Sequence, residues 1–166
     1  MVSKSAGVIM VRLKKYVDVD GRIKVIPLFL CVKPGGPWKN MDWSIPKGGK
    51  EKDDDTLKDT GIREFAEETG QIAPENDLIP IGSIKQRKGK IVYAWFFTDN
   101  SNENISFRSN SYTIEHPKGS GKTKTYKEVV SHKFLDEAEA KEKLIDAQFD
   151  FIIRIKKNLT ERNLIY

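Results

Sequence analysis

Three carboxylates, Glu64, Glu67 and Glu68, stand at i, i+3 and i+4 in the segment I-R-E-F-A-E-E-T-G. On a helix that spacing crowds them onto one side, where like charges repel by about 0.2–0.5 kcal/mol per pair. Two kinds of compensation exist. Water and Arg63, an i, i+4 partner of Glu67, suffice if the face is simply solvated, as most charged helix faces are. The other is a hard divalent cation: Mg²⁺ takes oxygen ligands, keeps several waters and bridges carboxylates to phosphate groups. The stretch just upstream favours the cation. Pro46-Lys47-Gly48-Gly49 is a glycine turn carrying a positive charge, and glycine backbone lets a phosphate approach closely. Lys47 is therefore a candidate phosphate contact, and Trp43, four positions before it, is a candidate to stack on a base.

The elements that must position these groups can be read around them. Thr56 is a plausible N-cap, with Asp59 three positions on as a capping-box partner, and Gly70 stands where a C′ glycine ends a helix. Ile62, Phe65, Ala66 and Thr69 give that helix one largely apolar stripe, with the three glutamates on another side. Upstream, residues 6–14 and 23–33 read as strands joined through an Asp20-Gly21 turn, and Pro34-Gly35-Gly36-Pro37 as a loop. Downstream, residues 79–85 and 91–98 read as a hairpin, Ser101 to Asn104 as a polar break, and residues 105–115 and 126–134 as two more strands. Residues 136–144 and 147–159 read as helices, the second with Phe149, Ile152 and Ile153 on an apolar face. This order suggests an α/β fold, a mixed sheet between helices. No repeat or composition shift divides the chain, so residues 1–166 read as one domain.

The central stretch resembles the Nudix box, G-x5-E-x7-R-E-U-x-E-E-x-G-U with U a bulky apolar residue. Gly49 stands for the first glycine, Asp55 falls at the isolated acid, and Arg63, Glu64, Phe65, Glu67, Glu68 and Gly70 follow in register over residues 49–72. Two positions depart: Asp55 is one methylene shorter than the expected glutamate, and Gln71 replaces the final apolar residue. The segments A-G-V-I, K-P-G-G-P, W-S-I-P-K-G and I-K-Q-R-K-G-K extend the likeness over most of the chain. The resemblance to the Nudix hydrolase family implies an α/β/α sandwich and a pyrophosphohydrolase acting on nucleoside diphosphate derivatives. It implies Mg²⁺ or Mn²⁺ as cofactor, with Glu67 and Glu68 as ligands and Glu64 as a ligand or the base. Arg63 would hold the carboxylates by a salt bridge, the Gly49 carbonyl would add an oxygen ligand, and Asp55 would support the metal site. Gly48 and Gly49 belong to its substrate-binding turn. The W-x-x-P-K-G arrangement resembles Nudix enzymes acting on dinucleoside polyphosphates, which makes these the leading substrate class. The rival is a catalytically weak Nudix-fold module that binds or senses a nucleotide.

Other features carry less. Glu128, in K-E-V-V, is a candidate general base, although an exposed glutamate is the commoner explanation. Lys85, Arg87, Lys88 and Lys90 cluster around one turn and could steer a polyphosphate, with solvated hairpin charge as the alternative. Gly119-Ser120-Gly121-Lys122-Thr123 looks like the end of a phosphate-binding P-loop, but His116 stands where that motif needs glycine and a strand follows instead of a helix. A hairpin connection is the better reading. Trp38, Tyr93 and Trp95 are further aromatic candidates for base stacking, Trp95 more simply for packing. His116 and His132 are too few and too separated to build a metal site.

Composition bounds the rest. The chain has 166 residues, 38% of them hydrophobic and 32% charged, which fits a folded water-borne domain. No apolar run approaches the ~18 residues a membrane helix requires. The single Cys31 cannot form an internal disulfide, and the expected compartment is the cytoplasm. The net charge of +5 suits an anionic small-molecule partner, a nucleotide or polyphosphate, and among nucleic acids only an RNA 5′ end.

Overall fold

The computed structural model describes residues 2–101 and 103–166. Its strands are β1 (Lys4–Val17), β2 (Ile23–Pro34), β3 (Lys47–Gly49), β4 (Ile79–Lys85), β5 (Ile91–Asp99), β6 (Ser111–Glu115), β7 (Thr123–Lys127) and β8 (Val129–Leu135). Its helices are α1 (Leu57–Thr69), α2 (Glu137–Lys143) and α3 (Phe149–Glu161). The main sheet runs β4-β5-β1-β2-β8, with β3 paired to the start of β1, and β6-β7 form a separate two-stranded ribbon. β1 is parallel to β5 and antiparallel to β2 and β3, so the sheet is mixed.

The side-chain alternation of the central strands sorts the core into two layers. Ile9, Val11, Phe29, Cys31, Val92 and Phe96 pack with Phe151, Ile152, Ile155 and Leu159 of α3. Their neighbours Val8, Met10, Leu30 and Phe97 pack with Phe65 of α1. β1 is therefore buried from Ser5 to Val11 without a break, as expected of a strand covered on both faces. No helix among the described residues is long and apolar enough to cross a membrane.

Several sequence expectations are corrected. Of the strand expected at 105–115 only residues 111–115 form one, β6; residues 105–110 cap α1 instead, Arg108 N–H donating to the Thr69 carbonyl (2.9 Å) and Asn110 N–H to that of Glu67 (2.8 Å). The last carbonyls of a helix have no partner within it, so they recruit a passing chain. The strand expected at 126–134 breaks at Glu128 into β7 and β8. The glycine turn at Lys47–Gly49 is the short strand β3, set against Ser5, Ala6 and Gly7. The Gly119–Thr123 run lies in and beyond the β6–β7 connection and leads into a strand.

Candidate functional site

α1 begins with the capping box its sequence suggests: Asp59 N–H donates to Thr56 Oγ1 (3.1 Å) and Thr56 N–H to Asp59 Oδ2 (2.8 Å). It ends at Gly70, whose φ of 70° is the left-handed conformation glycine adopts without strain. Between them the inward face differs from the expected stripe. Gly61, Glu64, Phe65, Glu68 and Thr69 are buried, whereas Ala66 is exposed. Two of the three glutamates thus point inward.

There they meet a third acid that comes from the break between β7 and β8. One carboxylate oxygen each from Glu64, Glu68 and Glu128 lie within 4.8 Å of one another. Glu67 stands outside this trio, half-buried, its Oε2 accepting from Arg63 Nη1 (3.2 Å). Burial raises the pKa of Glu64 and Glu68 above the ordinary carboxylate value, and the neighbouring acids push the same way. Glu68 Oε2 accepts one backbone donor, Lys47 N–H at 3.2 Å. At the other end of its residue, the Glu68 carbonyl accepts from His132 Nε2 (2.6 Å), a contact that no sequence spacing suggested.

Arg63 is the hub of the surrounding contacts. Its Nη1 donates to Glu64 (2.9 Å), and its Nη2 donates to the Gly49 carbonyl and to Asp54 (both 2.9 Å). Its Nε donates to the other Asp54 oxygen (3.0 Å), completing a two-pronged pair. Asp54 also accepts from Glu51 N–H and the Thr60 hydroxyl, and these donors, Arg63 first, hold its pKa far below the usual range. Asp55, the acid expected to support the site, is exposed. Asp54 takes the contact because the turn before α1 presents it, and not its neighbour, to the guanidinium.

Gly48 explains why β3 runs so close to α1. A Cβ there would lie 2.1 Å from the Glu64 carboxylate, so any side chain displaces that acid. At Gly49 a Cβ would meet nothing within 4 Å.

The cluster opens into a cleft of about 420 Å³ lined by Lys47, Gly48, Glu68, Lys90, Tyr112 and Glu128, with Trp38 at its side. Burial, and then the nearby Lys90 charge, lower the pKa of Lys47. Trp38 stacks obliquely on Tyr112, ring centroids 5.5 Å apart. Trp43, expected in the substrate site, instead packs against the main core, its backbone tied to Lys143 and Ile145. Lys85, Arg87 and Lys88 are exposed on their turn, and Lys90 reaches the cleft. Among the residues not singled out by sequence, Asp54 was hidden in the run Asp53-Asp54-Asp55, and Tyr112 in a stretch with no motif.

The donor set fits a hard divalent cation: it is all oxygen, it is gathered and desolvated, and Gly48, without a side chain, leaves the space that the Glu64 carboxylate takes up. Two further polar atoms beside Glu128, Asn110 Oδ1 and the Tyr112 hydroxyl, are buried without a hydrogen-bond partner among the described residues.

Comparison with known proteins agrees with this architecture. The NUDIX domain model matches residues 17–153. No curated protein sequence matches the chain. Among solved structures, a C. elegans Ap4A hydrolase binary complex aligns with a TM-score of 0.63 at 16% identity, covering 95% of this chain and 98% of that one. The NUDIX domain of Shewanella oneidensis NrtR, complexed with ADP ribose, aligns at 0.61 with 14% identity, covering 96% and 89%. A MutT protein from Methanosarcina mazei aligns at 0.57 with 16% identity, covering 95% and 94%. At these identities the structures share a fold, and it is the family model, spanning most of the chain, that shows that this protein belongs to the NUDIX family.

Proposed function

We propose that this protein is a metal-dependent pyrophosphohydrolase that cleaves a phosphoanhydride bond in nucleoside diphosphate derivatives, with dinucleoside polyphosphates as the leading substrate class. The observation that carries this reading is the meeting of Glu64, Glu68 and Glu128 within 4.8 Å of one another beside a lysine-lined cleft. Acids packed this tightly and buried are costly unless a cation joins them. Glu64 and Glu68 would hold Mg²⁺ or Mn²⁺, which when bound neutralises phosphate oxygens and makes water a readier nucleophile. Arg63 orients Glu64 and Glu67 and ties both to Asp54 and the Gly49 carbonyl. Lys47 and Lys90 face the phosphate chain, and Trp38 offers an aromatic face at the cleft for a base. Glu128, less buried than the other two, takes the proton from the attacking water.

A binding module without turnover is the second reading. It is favoured by one feature: Arg63 already engages the Gly49 carbonyl and Glu67, two of the groups expected to serve the metal. A panel of dinucleoside polyphosphates, ADP-ribose, oxidised nucleoside triphosphates, inositol pyrophosphates and capped RNA, each with Mg²⁺ or Mn²⁺, separates the two. The hydrolase reading expects metal-dependent product from at least one, lost in Glu68→Gln. Binding without product on every member supports the sensor.

A further inference from the structure

Gln148 has no exposed surface, and every polar atom of its side chain is engaged. Its Oε1 accepts the Ile45 N–H at 2.8 Å. Its Nε2 donates to Ser44 Oγ (3.1 Å) and to Gln86 Oε1 (3.0 Å). The orientation of the amide is fixed by chemistry: only its oxygen can satisfy a backbone N–H, so its nitrogen must face the two acceptors.

The segments joined in this way are far apart in sequence and each delivers a lysine to the same cleft. Ile45 is fully buried and lies two residues before Lys47. Gln86 opens the turn that Lys90 closes, with Gln86 N–H donating to the Lys90 carbonyl at 2.8 Å. Lys47 and Lys90 both line the cleft, close enough that the Lys90 charge works against a second charge on the buried Lys47. An apolar residue at position 148 would fill the same space but leave the buried Ile45 N–H unpaired; the amide oxygen satisfies that donor, and the amide nitrogen adds orientation by reaching Ser44 and Gln86.

We propose that Gln148 is a positioning residue whose amide locks the Ser44–Lys47 segment to the Gln86–Lys90 turn, setting the spacing of Lys47 and Lys90 so that they grip two adjacent phosphate groups. The proposal rests on the polyphosphate reading of the cleft and adds to it how the cleft selects linked phosphates over a single one.

The test is calorimetric binding of inorganic pyrophosphate and of inorganic phosphate to the full chain in Mg²⁺, with melting temperature measured alongside. Gln86→Met breaks only the turn side of the relay and spares Ile45; Gln148→Met breaks both sides. Each single variant is expected to weaken pyrophosphate binding about tenfold, the size of one charge-assisted contact, with little change for phosphate. The double variant is expected to lose about the same tenfold and not a hundredfold, because the two amides act as one unit. Lys90→Met should weaken pyrophosphate binding similarly, and should add no further loss in the Gln86→Met background. The relay is overturned if the variants melt lower yet bind pyrophosphate as the parent does, or if the two losses add. A parent that binds no pyrophosphate overturns the polyphosphate reading itself, and the relay with it.

Discussion

Asp54 and Asp55 are adjacent and chemically identical, yet only Asp54 meets Arg63. Its side chain is 6% exposed and its two oxygens share the guanidinium. Asp54→Asn is expected to destabilise the protein by about 2 kcal/mol, as loss of a buried charge-assisted bond does, whereas Asp55→Asn should stay within about 0.5 kcal/mol. Urea unfolding of the two variants measures both. The ungapped box register pointed to Asp55, because a sequence pattern cannot show which carboxylate of three in a row a turn will present. Glu68 allows a second prediction. Its folded-state pKa is raised, first by burial, so the metal-free folded state holds the Glu68 proton to higher pH than the unfolded chain does. The Glu68 contribution to the stability of the metal-free protein is expected to fall as pH rises from about 5 to 7, and Glu68→Gln should remove that fall and raise the melting temperature near pH 7. Thermal melts in chelator across that range check it. A parent whose metal-free stability rises with pH while Glu68→Gln leaves the slope unchanged would contradict it.

At the scale of elements, the site is built by β3 pressing on α1. Gly48→Ala puts a methyl group where the Glu64 carboxylate lies, and Gly49→Ala puts one into open space. Metal affinity should therefore fall at least about tenfold in the first and remain near the parent value in the second, while both keep the parent's circular dichroism. α1 also shows how far sequence patterning reaches. Its caps were legible because a capping box and a C′ glycine are local chemistry. Its buried face was not: helical periodicity looks for apolar residues, and here the inward positions include Glu64 and Glu68 while Ala66 faces out. A site that buries charge breaks the rule that hydrophobic residues mark the inside. The segment at 105–110 misled for a different reason, since capping α1 is a tertiary demand that leaves no trace in local alternation.

Over the whole molecule, the mixed sheet was legible because β1, β2 and β5 carry long β-branched and aromatic runs, and their alternation assigns each side chain to the α1 or the α3 layer. What could not be read was which distant segments converge on the cleft, for Glu128, Tyr112 and Lys90 arrive there through pairing and packing across the fold, with Gln148 buried behind them and bonded to Gln86. The convergence has a cost in metal-free protein: burial and crowding at Glu64, Glu68 and Glu128 disfavour the charged forms that a cation would favour, so saturating Mn²⁺ should raise the melting temperature by several degrees, on the order of 1–2 kcal/mol or more by mass action, and chelator should reverse it. The most direct test of the central claim is Mn²⁺ titration followed by electron paramagnetic resonance on the parent, Glu64→Gln, Glu68→Gln and Glu67→Gln. The structure predicts that the two buried-acid variants each bind Mn²⁺ at least about tenfold more weakly, and that Glu67→Gln loses less than either. Parent-like Mn²⁺ affinity in Glu64→Gln and Glu68→Gln would contradict a metal centre at this cluster.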